Sequence, residues 1–481
     1  MIRWGIIGAG NIANRFVQSM AHETDAEVTA VSCRTQEKAE RFAKQYGIEK
    51  AYGGFERIVE DPDIDAVYVA VPHLYHKEWV LKCLDAGKAV LCEKPAGMNR
   101  KEVQEMTACA QKNNVLFMEA MKTRLVPLYP EIQKILQEGT VGEILSVKAS
   151  LCNDMDFEHA EKKTYHTDPE GGGCLLDEGV YCASWICALL EEKPVLTTLH
   201  ASIKNHVDYY DDAFLNDGKV QAELECAFDR KKDRDCVITG TKGKIIIHDL
   251  HRPQKAEVIG TNENAYTIER PYEYDDFYGE IHHFDELLRH HETESTVMSF
   301  KDSLRVAEIL DLIREGYAYD EKALDILKQE EEDLRFDSFD NRDALRLGNQ
   351  IIAMSGDYDR GIAVRITREE DRCVVFQYLN DDKSDRNLFF AEGKRNVSLH
   401  TGHSSFHAYV DHVLHGNHEE LFQDPKRFCP SGGAFPIRVN DRIVYTVSVS
   451  GLHEGEDHEL VVRALYAMKK EKKPDFPYVL V

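Results

Sequence analysis

No stretch of this chain approaches the ~18 consecutive apolar residues that a membrane-crossing helix needs, and Met1-Ile2-Arg3 enters the first apolar segment without a basic-then-apolar leader. A membrane protein is therefore not expected, and a cytoplasmic one is. Positive charge is also short. With 59 lysines and arginines against 85 aspartates and glutamates, the net charge is −26. That balance argues against nucleic acid or an anionic membrane surface as partner, and it leaves any anionic cofactor dependent on local cations. The twelve cysteines contain no CxxC and no paired framework, so they read as reduced, mostly buried thiols. No tight ligand cluster accompanies Cys174, Cys182 or Cys187, and no metal site is expected.

What is present begins at once. Trp4, Ile6 and Ile7 read as a short buried strand running into Gly8-Ala9-Gly10, and Asn11 to Met20 carries Ile12, Phe16, Val17 and Met20 at helical spacing. Gly8 permits the turn, Gly10 lets a pyrophosphate approach backbone, and Ala13 is small enough for close packing of helix on strand. A purely structural turn is the alternative. The segment Glu27 to Ser32 reads as a second strand, and Thr35 caps a helix that ends before Gly47. Where this βαβ unit usually carries an acidic residue for the ribose 2′-hydroxyl, the chain has Ser32-Cys33-Arg34-Thr35 with Lys38 one turn on. Arg34 and Lys38 suit a 2′-phosphate, so NADP is expected ahead of NAD. A solvated basic helix start is the competing reading.

Three further strand–helix units end in Pro72-His73-Leu74-Tyr75-His76, Glu93-Lys94-Pro95 and Glu119-Ala120. In an open parallel sheet these turns share the edge where ligands bind. From Gly142 the pattern changes to strands with few helices, which suits a mostly antiparallel sheet closed by helices near 278–289 and 303–314. Within it, Gly171-Gly172-Gly173-Cys174 leads through Asp177 and Tyr181 into an apolar helix. A charged helical stretch, 321–336, reads as a connector helix, and residues 337–481 have enough strands and helices for an independent α/β domain. The expected fold class is α/β: a Rossmann domain over 1–120, a domain with a mostly antiparallel open sheet over 121–320, and a separate C-terminal α/β domain.

Taken together, GIIGAGNIA, the PHLYH turn, CEKP, MEAMKTR and GGGCLLDEGVY resemble the glucose–fructose oxidoreductase and inositol dehydrogenase (Gfo/Idh/MocA) family, in its dihydrodiol and NADP-xylose dehydrogenase branch. The resemblance implies that Lys94 is the catalytic lysine, that Asp177 lies beside the substrate, and that Tyr181 takes the acid/base place held by histidine in many relatives. It also implies a cis Lys94–Pro95 peptide. The dinucleotide contacts it implies are Gly8, Gly10, Asn11, Ile12, Ser32, Cys33, Arg34, Lys38, Pro72, His73, His76, Glu93, Lys94 and Arg124. Lys94 is expected to lower the pKa of Tyr181 so that the phenol can accept the hydroxyl proton of a carbinol. Structural alternatives are a surface lysine, a helix cap at Asp177, a packed aromatic at Tyr181 and a cap-region histidine at His76.

The last third, with FDSFDNRDALRLGN, GKRNV, HSSF, GGAFPIRV and VSGLHEGEDHELVVRAL, resembles the small haem-degrading-like α/β proteins. Gly432 and Gly433 with Ser405 could line a small-ligand pocket, and His400, His403 and His407 are candidates for haem, against the plain reading of solvated histidines. The whole reads as an NADP-dependent oxidoreductase of a sugar, polyol or cyclic trans-diol, expected to be a homo-oligomer. The alternatives are a non-catalytic NADP or ligand sensor, or a glycoside-processing enzyme with recycled NAD.

Overall fold

The structure, a computed structural model, describes residues 1–481 apart from 156–163, 205–206, 233, 262–263, 318, 320, 359, 453, 472, 474–477 and 481. It divides into two compact units, Met1–Leu196 with Lys204–Arg314, and Thr197–Ile203 with Glu315–Val481.

The first unit opens with six strands, β1 (Ile2–Ile7), β2 (Ala26–Cys33), β3 (Lys50–Gly53), β4 (Ala66–Val69), β5 (Ala89–Glu93) and β6 (Phe117–Ala120). They are parallel, in the order β3-β2-β1-β4-β5-β6. β4, β5 and β6 are buried at every residue, as expected of strands covered by helices on both faces. Trp4, Phe16 and Tyr68 fill the layer under helix Asn11–Met20, with Phe16 stacked on Tyr68 at 4.0 Å between ring centroids. This is the parallel sheet the sequence pattern predicts, with β3 added by a short segment whose alternation is too brief to read.

The strands β7 (Ile144–Cys152), β8 (Val195–Lys204), β9 (Val207–Asn216), β10 (Gln221–Ala227), β11 (Cys236–Gly240), β12 (Gly243–His248), β13 (Lys255–Gly260) and β14 (Ala265–Glu269) follow. In the first unit they run in the order β14-β13-β12-β11-β7-β10-β9, antiparallel except for the β7–β10 pair. The helix Val180–Cys187, buried along its whole length, lies on β7 and β10. The second unit holds β15 (Ala363–Arg368), β16 (Cys373–Leu379), β17 (Ala434–Val439) and β18 (Arg442–Ser450) as an antiparallel sheet in the order β16-β15-β18-β17. Its last strand, β19 (Tyr478–Leu480), pairs in parallel with His200–Ser202 of β8.

Two expectations change here. The connector helix is there, as Glu321–Asp333, but it is packed into the second unit: Ala323, Leu324 and Leu327 are buried, and Leu334 joins that unit's core. Its charges concealed a narrow apolar stripe. The sequence reading also has no element between 385 and 401, where the structure has helix Asp385–Thr401 with Lys394 and Arg395 buried. Two internal cations and Gly393 hide it from any apolar periodicity. Gly393 is required by packing, since a Cβ there would sit 2.9 Å from the Cβ of Cys429. Among the described residues, no helix is long and apolar enough to cross a membrane.

Candidate active site

Gly8 has φ of 105°, and a Cβ there would stand 2.4 Å from the Ala70 carbonyl oxygen. Only glycine meets both demands. A Cβ on Gly10, by contrast, would meet nothing within 4 Å. The backbone therefore borders open space where helix Asn11–Met20 begins, with no side-chain cap and no acidic residue in its first turn. Asn11 is exposed and Ile12 half-buried on that turn. This cradle fits the pyrophosphate of a dinucleotide. Arg34 and Lys38 are exposed just past β2, and Thr35 accepts a hydrogen bond from the Lys38 backbone N–H. Ser32 and Cys33 are not available in the same way. The Ser32 hydroxyl donates to the Ile6 carbonyl at 3.2 Å, and the Cys33 thiol is buried, because both belong to the sheet interior.

The turn after β4 begins at exposed Pro72. His76 stands between two carbonyls, Pro95 O 2.8 Å from Nδ1 and Val71 O 2.8 Å from Nε2, so it braces the turns after β4 and β5 and offers a ligand no free ring nitrogen. The Lys94–Pro95 peptide braced in this way is cis. His73 is buried beside it, and burial pushes its pKa down to about 3.

Lys94 projects from the end of β5 onto the glycine-rich segment. Its ammonium donates to the Asp177 carboxylate and to the Asp177 carbonyl, each at 2.7 Å. That carbonyl is within reach because Leu175–Gly179 forms a single π-helical turn ahead of helix Val180–Cys187, a widening that often marks functional positions. Asp177 lies inside this turn, so the capping alternative is overturned. His166 Nε2 stands 3.4 Å from its other oxygen. Burial alone would neutralise the pair, but each charge holds the other: Lys94 ends above its ordinary pKa and Asp177 well below.

Lys94 Nζ also lies 4.9 Å from the ring centroid of Tyr181, and Lys122 Nζ lies 5.9 Å from it. Both cations stand over the ring within cation–π range. The expected lowering of the tyrosine pKa is overturned. Burial raises it well above the ordinary value, and Glu93, Asp177, Glu178 and Glu280 raise it further. The resting form is the neutral phenol.

Around this centre, Glu93 was expected as a dinucleotide contact; the other groups were not foreseen. Lys122 donates to Asp276 at 2.7 Å, and Arg252 and Arg15 reach the same carboxylate. Burial works to raise Asp276, but Lys122 and the two arginines hold it down at about 2. Glu93 accepts from the Tyr68 hydroxyl, and burial raises its pKa. Glu280 is 1% exposed with its Oε2 unpartnered, and burial followed by the Glu93 charge pushes it well up. These residues are scattered along the chain from Arg15 to Glu280, so no local pattern could have grouped them.

Comparison with known proteins resolves the ancestry. Residues 2–121 match the model of the oxidoreductase family with the NAD-binding Rossmann fold, and 129–246 match the GFO/IDH/MocA C-terminal domain. A trans-1,2-dihydrobenzene-1,2-diol dehydrogenase of Mus musculus is 34% identical over 327 residues, 66% of this chain and 96% of that protein. The chain belongs to the GFO/IDH/MocA oxidoreductase family. Its Xenopus tropicalis relative of the same name is 36% identical over 322 residues, 64% of this chain and 96% of that protein. Among solved structures, KijD10, a 3-ketoreductase from Actinomadura kijaniata in complex with NADP and TDP-benzene, matches with a TM-score of 0.59 at 27% identity, over 65% of this chain and 97% of that one. A levoglucosan dehydrogenase in complex with NADH, at 21% identity and a TM-score of 0.59, covers 65% and 96% and shares the fold. Residues 339–466 match a separate model, the haem degrading protein HbpS-like. As a family member the chain is an enzyme of the NAD(P)-dependent oxidoreductase class.

One family-implied contact needs correction. Arg124 is 3% exposed and is committed elsewhere: its guanidinium donates to the Ser184 hydroxyl at 2.9 Å and the Ser184 carbonyl at 2.7 Å, and pairs with Asp302 at 3.1 Å. It lines an open cleft of about 840 Å³ with Tyr129, Gln133, Tyr278 and His282, a cleft that includes none of Lys94, Asp177 and Tyr181. It anchors helix Val180–Cys187. In the HbpS-like segment, the Ser405 hydroxyl accepts from the Ala434 N–H at 2.9 Å and so pins the Gly432-Gly433 turn. His400 pairs with Glu420 at 3.2 Å.

Proposed function

We propose that this family member is an NADP-dependent dehydrogenase acting at a carbinol carbon of a sugar, polyol or cyclic trans-diol, with Tyr181 moving the proton at the carbinol oxygen. Bound nicotinamide would supply the two-electron acceptor or donor. The observation that carries the reading is the buried Lys94–Asp177 pair set against the Tyr181 ring. Charge-assisted bonding fixes the ammonium where it can bond a substrate oxygen next to the phenol. A phenol that rests neutral is ready to donate in the carbonyl-reducing direction. Removing a carbinol proton requires positive charge to be brought close as the ternary complex forms.

Gly8, Gly10, Asn11 and Ile12 would hold the pyrophosphate, and Arg34 with Lys38 the 2′-phosphate. The exposure of both cations beside β2, where no carboxylate awaits a ribose hydroxyl, favours NADP over NAD. The substrate class follows from relatives named for a diol, and a homo-oligomer is part of the same proposal. The test is a panel of sugars, polyols and trans-diols with NADP, read by nicotinamide absorbance. Turnover on one class assigns the substrate. Tight NADP binding with no turnover in either direction would favour the sensor, and turnover that leaves free NADP unchanged would favour recycled NAD.

A further inference from the structure

In the second unit, two histidines converge on a carboxylate that lies outside the HbpS-like match. Glu331 belongs to helix Glu321–Asp333, whereas that match begins at residue 339. Its Oε2 is 2.7 Å from His403 Nδ1 and its Oε1 is 3.0 Å from His407 Nδ1. The Ser404 backbone N–H donates to Oε1 at 2.7 Å and fixes the orientation of the carboxylate. One oxygen and two imidazole nitrogens thus fall within 4.8 Å of one another.

His403 and His407 straddle Ser404, the N-cap of helix Ser405–His415, and their ring centroids are 4.1 Å apart. Four-residue spacing brings two imidazoles onto one side, the arrangement many helical zinc sites use. The side chains of Glu331 and His407 are 11% and 6% exposed, while that of His403 is 45% exposed. Two donors are walled in, and the third opens to solvent.

We propose that Glu331, His403 and His407 form a binding site for one divalent transition-metal ion of the zinc class, with the solvent side left for water or a small ligand. Two imidazoles and a carboxylate are a borderline donor set that suits zinc, cobalt or nickel better than calcium or magnesium. Metal bonds of ~2.0–2.1 Å place neighbouring donors about 2.9–3.4 Å apart; the Glu331–His407 spacing of 3.0 Å falls in that range and the Glu331–His403 spacing of 2.7 Å just below it. The carboxylate comes from the helix just ahead of the HbpS-like match and the two histidines from within it.

The full chain, stripped with a chelator, is titrated with Co²⁺ as the probe and followed in the visible spectrum. One saturable equivalent with d–d absorption and no near-ultraviolet thiolate band is expected. Glu331→Gln and, independently, His403→Ala should each weaken it about tenfold or more, with the circular dichroism spectrum and NADP binding unchanged. His403 is partly exposed, so that variant tests the site even if Glu331→Gln fails to fold. Absence of saturable uptake, or uptake unaltered in the folded variants, would overturn the proposal. So would a strong thiolate-to-cobalt band, because it would assign the metal to Cys174, Asp211 and Cys226, whose donor atoms also lie within 4.8 Å of one another.

Discussion

Tyr181 keeps its proton because burial, with the nearby carboxylates of Glu93, Asp177, Glu178 and Glu280, raises its pKa despite the two cations over its ring. Replacing it by phenylalanine leaves the ring and its two overlying cations in place while removing the hydroxyl. Turnover should drop by about 10²–10⁴-fold, with NADP affinity by fluorescence titration little changed. Retained turnover would leave Tyr181 as a packing residue. At the cofactor end, Arg34→Asp removes one charge-assisted contact, worth about 1.5–3 kcal/mol, and adds repulsion. The ratio of kcat/KM for NADP over NAD should fall at least about tenfold, and an unchanged ratio would reject the 2′-phosphate assignment. Asp285 offers a test in pH. The Trp4 indole donates to it at 3.0 Å, yet burial raises its carboxyl to about 7. The unfolded chain releases this proton near pH ~3.9, so its stabilising contribution is complete below that pH and is lost as pH climbs through about 7. That loss is on the order of 4 kcal/mol. Asp285→Asn should flatten the fall of the unfolding midpoint between about pH 4 and 7, and a slope equal to wild type would refute the shift.

At the scale of elements, the strand–turn–helix at 2–20 separates stability from binding in two adjacent glycines. Gly8→Ala forces a side chain into the left-handed region and onto the Ala70 carbonyl, so the unfolding midpoint and NADP affinity should both fall. Gly10→Ala meets no protein atom within 4 Å, so its midpoint should hold while NADP affinity drops, the new methyl occupying the phosphate cradle. Calorimetry and fluorescence titration on both variants check this, and a Gly10→Ala protein that binds NADP normally would move the pyrophosphate elsewhere. The glycine turn was legible because its constraint is local. The π-helical turn at Leu175–Gly179 was not, because a widened turn forms when Lys94, 83 residues earlier, takes a carbonyl from the helix.

For the whole molecule, the division of the chain does not follow its order. Thr197–Ile203 belongs to the unit otherwise made of residues 315–481, where His200 stands 3.1 Å from Glu459 and His200–Ser202 pairs with β19. Every residue of the Lys94 centre lies within 1–314, so a chain ending at Arg314 should still bind NADP. It should also melt at a lower temperature than the full chain, because β8 loses both β19 and the Glu459 partner. Equal melting temperatures would mean that β8 gains nothing from the second unit.

What the amino-acid sequence determined by itself was whatever short-range chemistry dictates: the alternation of strand and helix, the glycine turns and the cations beside β2, each written in local periodicity. Lys94, Asp177 and Tyr181 were legible only through the motifs the chain shares with its family. Tertiary structure decided the rest, because burial and long-range charge set it. Folding brought Glu93 and Glu280 together, raised Tyr181 where the motif alone suggested lowering, and committed Arg124 to Ser184 and Asp302. It also packed the charged connector helix into the second unit, where its Glu331 meets His403 and His407. Electrostatic energies depend on the distance and desolvation of groups far apart in sequence, and only the folded chain defines either.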